Sequence, residues 1–175
     1  MKTILSPQQV ALTIQRLANQ VLENHMQLEN TVLIGLQPRG IHVSDRLVAE
    51  LQKLMPGKTI EYGKLDITFY RDDVRKHLLN ANKTDISFSI ENKNVILIDD
   101  VLYTGRTIRA ALDALLDFGR PSKVELCVLI DRRFSRELPI QPDYAGRTID
   151  TFATQKVKVL WNERDGNEGV ELLES

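Results

Sequence analysis

The stretch Val95-Ile96-Leu97-Ile98-Asp99-Asp100-Val101-Leu102-Tyr103-Thr104-Gly105-Arg106-Thr107 decides the fold. Four consecutive apolar residues, 95–98, predict a strand buried on both faces, which a parallel sheet covered by helices requires. The strand ends in two carboxylates, Asp99 and Asp100. In open α/β sheets, ligands sit beyond the carboxyl ends of the strands, so these acids point at a site. An amphipathic run over 108–118 places Thr104, Gly105 and Thr107 at a helix start. A glycine turn, free backbone N–H groups, two hydroxyls and a helix dipole make an anion cradle there. Acceptors for sugar hydroxyls thus lie beside donors for a phosphate, the pair that a phosphorylated sugar needs. A triphosphatase strand would need G-x-x-x-x-G-K-[ST] as well. Residues 35–40 have the glycine spacing, but Ile41 and His42 follow where Lys and Ser/Thr are required.

Working outward, a second strand–turn–helix precedes the first. Residues 31–36 predict a strand, Gln37-Pro38-Arg39-Gly40 a tight loop, and 41–54 a helix with Val43, Leu47 and Leu51 inward. Exposed amides plus Arg39 suit a diphosphate. Before it, Ser6-Pro7-Gln8-Gln9 is a helix start with a capping box. Val10, Ile14, Leu17, Val21 and Leu22 then give one apolar stripe to about residue 26. Residues 60–65 and 67–70 read as extended, and 74–88 as a long polar loop of the functional kind. Downstream, Gly119 and Pro121 stop the central helix. Residues 123–130 predict another buried strand, ending in Asp131 and Arg132. Residues 143–147 give a short strand and turn, and 156–160 with 170–173 a terminal hairpin across Asp165-Gly166.

Composition sets the outer bounds. The 175 residues suit one domain spanning 1–175, and a net charge of −1 supplies no global field for nucleic acid. The lone cysteine, Cys127, sits in an apolar run and excludes an internal disulfide. No signal peptide or membrane span is visible, so a cytoplasmic location is expected.

The central thirteen residues resemble the 5-phosphoribosyl-1-diphosphate (PRPP) fingerprint of type I phosphoribosyltransferases. Residues 35–40, 65–73, 99–107 through Gly119-Arg120-Pro121, and 136–140 with Asp143-Tyr144 are further similar to the PyrR family, pyrimidine-operon regulators with uracil phosphoribosyltransferase activity. The resemblance implies an α/β fold of the type I phosphoribosyltransferase kind: a central, mainly parallel twisted sheet flanked by helices, with a small hood from terminal and loop segments. It implies conversion of uracil and PRPP to UMP and diphosphate, with magnesium held mainly by the oxygens of PRPP. By the same resemblance Asp99 and Asp100 take the ribose hydroxyls, and the PRPP loop continues through Val101, Leu102, Tyr103, Thr104, Gly105, Arg106 and Thr107. Pro38, Arg39, Gly40 and Arg71 take the diphosphate, Arg39, Arg71, Asp99 and Asp100 being the catalytic set. The loop over 74–88 closes over the site and excludes water. Asp131, Arg132 and Thr151 lie on the nucleobase side.

The family's regulatory half implies UMP-dependent binding of a pyrimidine-operon mRNA leader, and homodimers or larger assemblies. Its RNA contacts fall here on Arg16, Arg133 and Arg136. The first helix otherwise offers neutral Gln15, Asn19 and Asn24, which predicts weak RNA binding. Two departures stand out: Ser135 where the family often has His, and Asp150-Thr151-Phe152 where it usually reads Pro-Thr-Ser. Two other readings stay open, an RNA-binding regulator with vestigial catalysis and a transferase for another base, a purine or thiopurine.

Overall fold

The computed structural model describes residues 1–72 and 83–174. Five parallel strands form the central sheet in the order β3-β2-β4-β5-β6: β2 (Thr31–Gln37), β3 (Tyr62–Asp66), β4 (Asn94–Leu102), β5 (Lys123–Arg133) and β6 (Tyr144–Asp150). Side chains alternate across a strand, so β4 feeds two cores. Ile96 and Ile98 join Leu33, Leu129, Val10, Leu17, Val43 and Leu47 beneath α1 (Pro7–Asn24) and α2 (Gly40–Leu54). Val95 and Leu97 join Ile34, Val128, Ile108, Ala111 and Leu115 beneath α3 (Arg106–Leu115). Burial on both sides explains why the strand sequences are continuously apolar rather than alternating. Cys127 is fully buried in the first core, and burial pushes its thiol up to about 12.

The small antiparallel sheet, ordered β1-β8-β7, forms the hood from β1 (Lys2–Leu5), β7 (Gln155–Leu160) and β8 (Gly169–Glu174). The expected hairpin is present, with a one-turn α4 (Asn162–Asp165) and Gly166 at φ +69° between its strands. The hood is fastened to α2. Arg46 forms ion pairs with Glu163 and lies 4.4 Å over the ring of buried Trp161, against which His42 also stacks.

Several boundaries differ from expectation: β5 runs on to Arg133, and β6 is one strand to Asp150 with no turn at 147. The capping box forms, Ser6 Oγ accepting from Gln9 N and Gln9 Oε1 from Ser6 N, but α1 stops at Asn24. Residues 67–70 are not extended: Asp66 Oδ1 accepts from both N and Oγ1 of Thr68, and this side-chain turn ends the strand in a short 3₁₀ turn, Thr68–Tyr70. The central helix ends at Leu115, with turns before Gly119 at φ +137°. Of the loop expected to close over the site, residues 74–82 lie outside the described residues. No helix among the described residues is long and apolar enough to cross a membrane.

Candidate active site

Strand β4 runs on to Leu102, so Asp99 and Asp100 lie inside its last turn of pleat rather than after it. Adjacent strand residues face opposite sides, and the two acids reach different cavities. Asp99 lines a cavity of about 310 Å³ with Arg71, Glu137 and residues 101–108. Asp100 lines one of about 380 Å³ with Arg39, Val101 and the hood residues Lys156, Val157, Lys158 and Leu173. Both carboxyls are buried. Asp99 Oδ1 accepts from Asp100 N, and Asp100 Oδ1 from Val101 N, both at 2.8 Å. Burial is the main reason that the Asp99 carboxyl sits well above the usual carboxylate range; the Asp100 charge adds to it, and Arg71 opposes it.

The turn expected to cradle an anion leads into the start of α3. Gly105 caps α3 at φ +94°, a left-handed conformation that a β-carbon would strain. The same β-carbon would come within 3.3–3.4 Å of Ile140 and Leu138. Arg106 N donates to Thr104 Oγ1 at 3.3 Å, and the first amides of the helix have no carbonyl of their own helix to meet. The Arg106 side chain spans the cavity rim, bonded to Glu137 at 2.6 Å and Asp72 at 3.0 Å; Asp72 also receives Arg109 at 2.8 Å.

The first loop closes against the acids. The Gln37-Pro38 peptide is cis, and Gly40 lies so near β4 that a β-carbon would fall 2.6 Å from Ile98 O and 2.9 Å from Asp99 Oδ1. Arg39 Nε donates to Asp100 at 3.0 Å and its Nη2 to Val159 O at 2.6 Å, so one side chain joins site acid and hood.

On the expected nucleobase side, buried Arg132 brings Thr151 in: its Nε donates to Thr151 Oγ1 at 3.0 Å and its Nη2 to Gln155 O at 3.0 Å. Its guanidinium lies 3.9 Å over the Tyr103 ring. Asp131 instead receives Arg136. The three arginines expected on an RNA surface are each engaged internally. Arg16 donates to Gly146 O, Arg133 forms a two-point pair with Asp150 at 2.8 and 3.0 Å, and Arg136 serves five acceptors at the end of β5. Sequence reading missed Glu137, Lys156 and Lys158 as lining residues. The alternation of Lys156 and Lys158 put them on one strand face, but nothing local aimed that face at Asp100.

Among the described residues no cluster of three His, Cys, Asp or Glu side chains could hold a metal ion by itself. Two hard carboxylate donors at the cavities, one already paired with Arg39, fit magnesium, which keeps water and substrate oxygens in its shell.

Comparison with known proteins agrees with this geometry. Residues 1–164 match the family model of the phosphoribosyl transferase domain. The chain is 47% identical over 169 residues to the bifunctional protein PyrR of Desulfosudis oleivorans, covering 95% of this chain and 93% of that protein. It is 46% identical over 172 residues to the bifunctional protein PyrR of Deinococcus deserti, covering 97% and 93%. Among solved structures, a hypoxanthine phosphoribosyltransferase from Staphylococcus aureus superposes with a TM-score of 0.75 over 99% of this chain and 91% of its own, at 20% identity. A hypoxanthine-guanine phosphoribosyltransferase from Bacillus anthracis gives 0.66 over 85% and 82%, also at 20% identity. These two likenesses concern the fold alone.

Proposed function

We propose, from the premise that this chain belongs to the PyrR family of phosphoribosyltransferases, that it joins N1 of uracil to C1 of PRPP and releases diphosphate, giving UMP. The observation that carries the reading is one edge of one sheet: two buried acids near the end of β4 and, five residues past Asp100, Gly105 at the N-terminus of α3. A sugar with a 5′-phosphate fits across them.

The bond from C1 to the diphosphate oxygen breaks as the bond from N1 to C1 forms, through a transition state with positive charge on the sugar, and the proton lost from N1 is balanced on the released diphosphate. Asp99 and Asp100 accept from the ribose hydroxyls, and their negative charge favours that positive sugar. The amides and hydroxyls of residues 103–107 hold the 5′-phosphate, fixing C1 relative to the base. Arg39 and Arg71 take the departing diphosphate. Arg39 is already spent on Asp100 and Val159 O, so on this reading it re-aims when diphosphate arrives. Magnesium, when bound with PRPP near Asp99 and Asp100, neutralises diphosphate charge. Arg132 and Thr151, joined to each other, frame the base.

The test is UMP formation from uracil, PRPP and magnesium, with Asp99→Asn/Asp100→Asn as the control. Wild-type turnover that collapses in the double variant supports the reading. Turnover with hypoxanthine or a thiopurine, but not with uracil, would replace it by a transferase for another base. From the family resemblance we propose a second role: UMP-dependent binding of a pyrimidine mRNA leader, by a cytoplasmic homo-oligomer. The internal pairing of Arg16, Arg133 and Arg136 makes that binding weak and only shallowly dependent on salt. Steep salt dependence with negligible UMP formation would favour a regulator with vestigial catalysis.

A further inference from the structure

The carbonyls of Leu102, Tyr103 and Thr104 all turn towards one downstream segment. Arg136 Nη1 donates to Tyr103 O at 2.7 Å and, more distantly, to Leu102 O at 3.5 Å. The next two amides, Glu137 N and Leu138 N, both donate to Thr104 O, at 2.9 and 3.2 Å. The guanidinium is itself fixed from behind. Its Nε donates to Ile140 O at 2.7 Å, its Nη1 to Arg132 O at 3.0 Å, and its Nη2 to the buried Asp131 carboxylate. Leu138 and Ile140 then lie against Gly105, 3.3–3.4 Å from where a β-carbon would sit.

A trans peptide is planar, so each carbonyl and the N–H that follows it point opposite ways. Drawing the carbonyls of residues 102–104 towards the segment 136–138 turns the amides of Tyr103, Thr104 and Gly105 away from that segment. These residues line the cavity in which the sugar phosphate is placed. A carbonyl turned into an anion site would repel the anion, and an amide donates to it.

We propose that Arg136 is a positioning residue for the phosphate loop: its guanidinium gathers the Leu102 and Tyr103 carbonyls and sets the next two amides on Thr104 O, so that the loop presents donors before any ligand arrives. This differs from an RNA contact, for which its charge would have to face solvent. It rests on the phosphoribosyltransferase reading above. Lysine could keep the charge but could not serve so many acceptors at fixed angles.

Ribose 5-phosphate binding by the full chain, measured by calorimetry, tests this without needing turnover. Arg136→Gln should weaken binding by roughly ten- to a hundredfold. Arg136→Lys, the variant less prone to misfold, should show a smaller loss in the same direction. In the transferase assay both should raise KM for PRPP while KM for uracil stays within about threefold. Val21→Ala, in the core beneath α1, supplies a destabilised control that should bind ribose 5-phosphate like wild type. Binding by the Arg136 variants equal to wild type overturns the proposal, as does an equal loss in Val21→Ala. Wild type that fails to bind ribose 5-phosphate and PRPP removes the phosphoribosyltransferase reading itself, a result distinct from an intact site that ignores Arg136.

Discussion

Asp99 and Glu125 are two buried carboxyls at opposite ends of the same parallel sheet, 6% and 5% exposed. Burial pushes both carboxyls up. At Glu125 three donors overcome it: Lys123 at 2.6 Å, His25 at 2.7 Å and Tyr144 at 2.8 Å bring the carboxyl down to about 2. Asp99 faces the Asp100 charge instead, and stays above its ordinary value. The amino edge of the sheet completes its polar groups and gains stability. At the carboxyl edge Asp99 accepts from the Asp100 amide but lies beside a second buried acid, so its charge stays costly. The contrast separates scaffold from site on physical grounds, without reference to relatives.

The comparison breaks most visibly in activity. Asp99→Asn/Asp100→Asn should lower kcat/KM for UMP formation by on the order of 10³-fold or more, read from initial rates. Glu125→Gln should leave turnover per folded molecule intact but cost about 2–3 kcal/mol in urea unfolding, because His25, Lys123 and Tyr144 lose a charged acceptor. Equal loss of activity in the two variants would erase the distinction between the edges.

Acid titration sharpens the contrast, since the two carboxyls carry opposite signs. Glu125 has a lowered folded value, so its stabilisation is present above its ordinary range of about 4.3 and is lost as pH falls towards about 2. Asp99 has a raised folded value. Its contribution is full below the ordinary range and is lost as pH rises through the folded value. Above that folded value the ionised Asp99 destabilises the ligand-free protein. Asp99→Asn alone should remove the loss of unfolding free energy that wild type shows as pH rises through the folded Asp99 value, while Glu125→Gln should flatten the acid-side decline. Parallel pH–stability curves for wild type and Asp99→Asn would show that the acid at the site carries no such strain.

The smallest effect concerns Asp150, one of the departures from the family pattern. Its pair with Arg133 is solvent-exposed and worth little to stability, but it masks a cation. Asp150→Ala should tighten binding of a pyrimidine leader RNA by a few-fold and steepen its salt slope by about one. An unchanged slope would remove Arg133 from the RNA surface.

Much of this was legible along the chain because it is encoded locally. Continuous apolar runs flanked by amphipathic periods gave the parallel sheet and its covering helices, and Gly105 with its neighbouring hydroxyls marked the helix start. Strand β1 was not legible: four residues carry no period, and Lys2–Leu5 is a strand only because the edge of β8 is there to pair with it. The turn at Thr68–Tyr70 was legible only in Asp66 and Thr68, two residues whose side-chain bond outweighs β-branched propensity.

The sequence by itself determined the composition of the site: two acids at a strand end, a glycine-capped helix, arginines in the neighbouring turns. These are set by residue type and spacing within a dozen residues. Only the tertiary structure decided which charges remain available. Arg39 is drawn to Asp100 and the hood, Arg136 to the carbonyls of a loop more than thirty residues earlier, and Asp99 is buried beside a second acid. A long charged side chain reaches several angstroms in any direction, so its partner is chosen by what the fold brings near, and spacing along the chain does not record that choice.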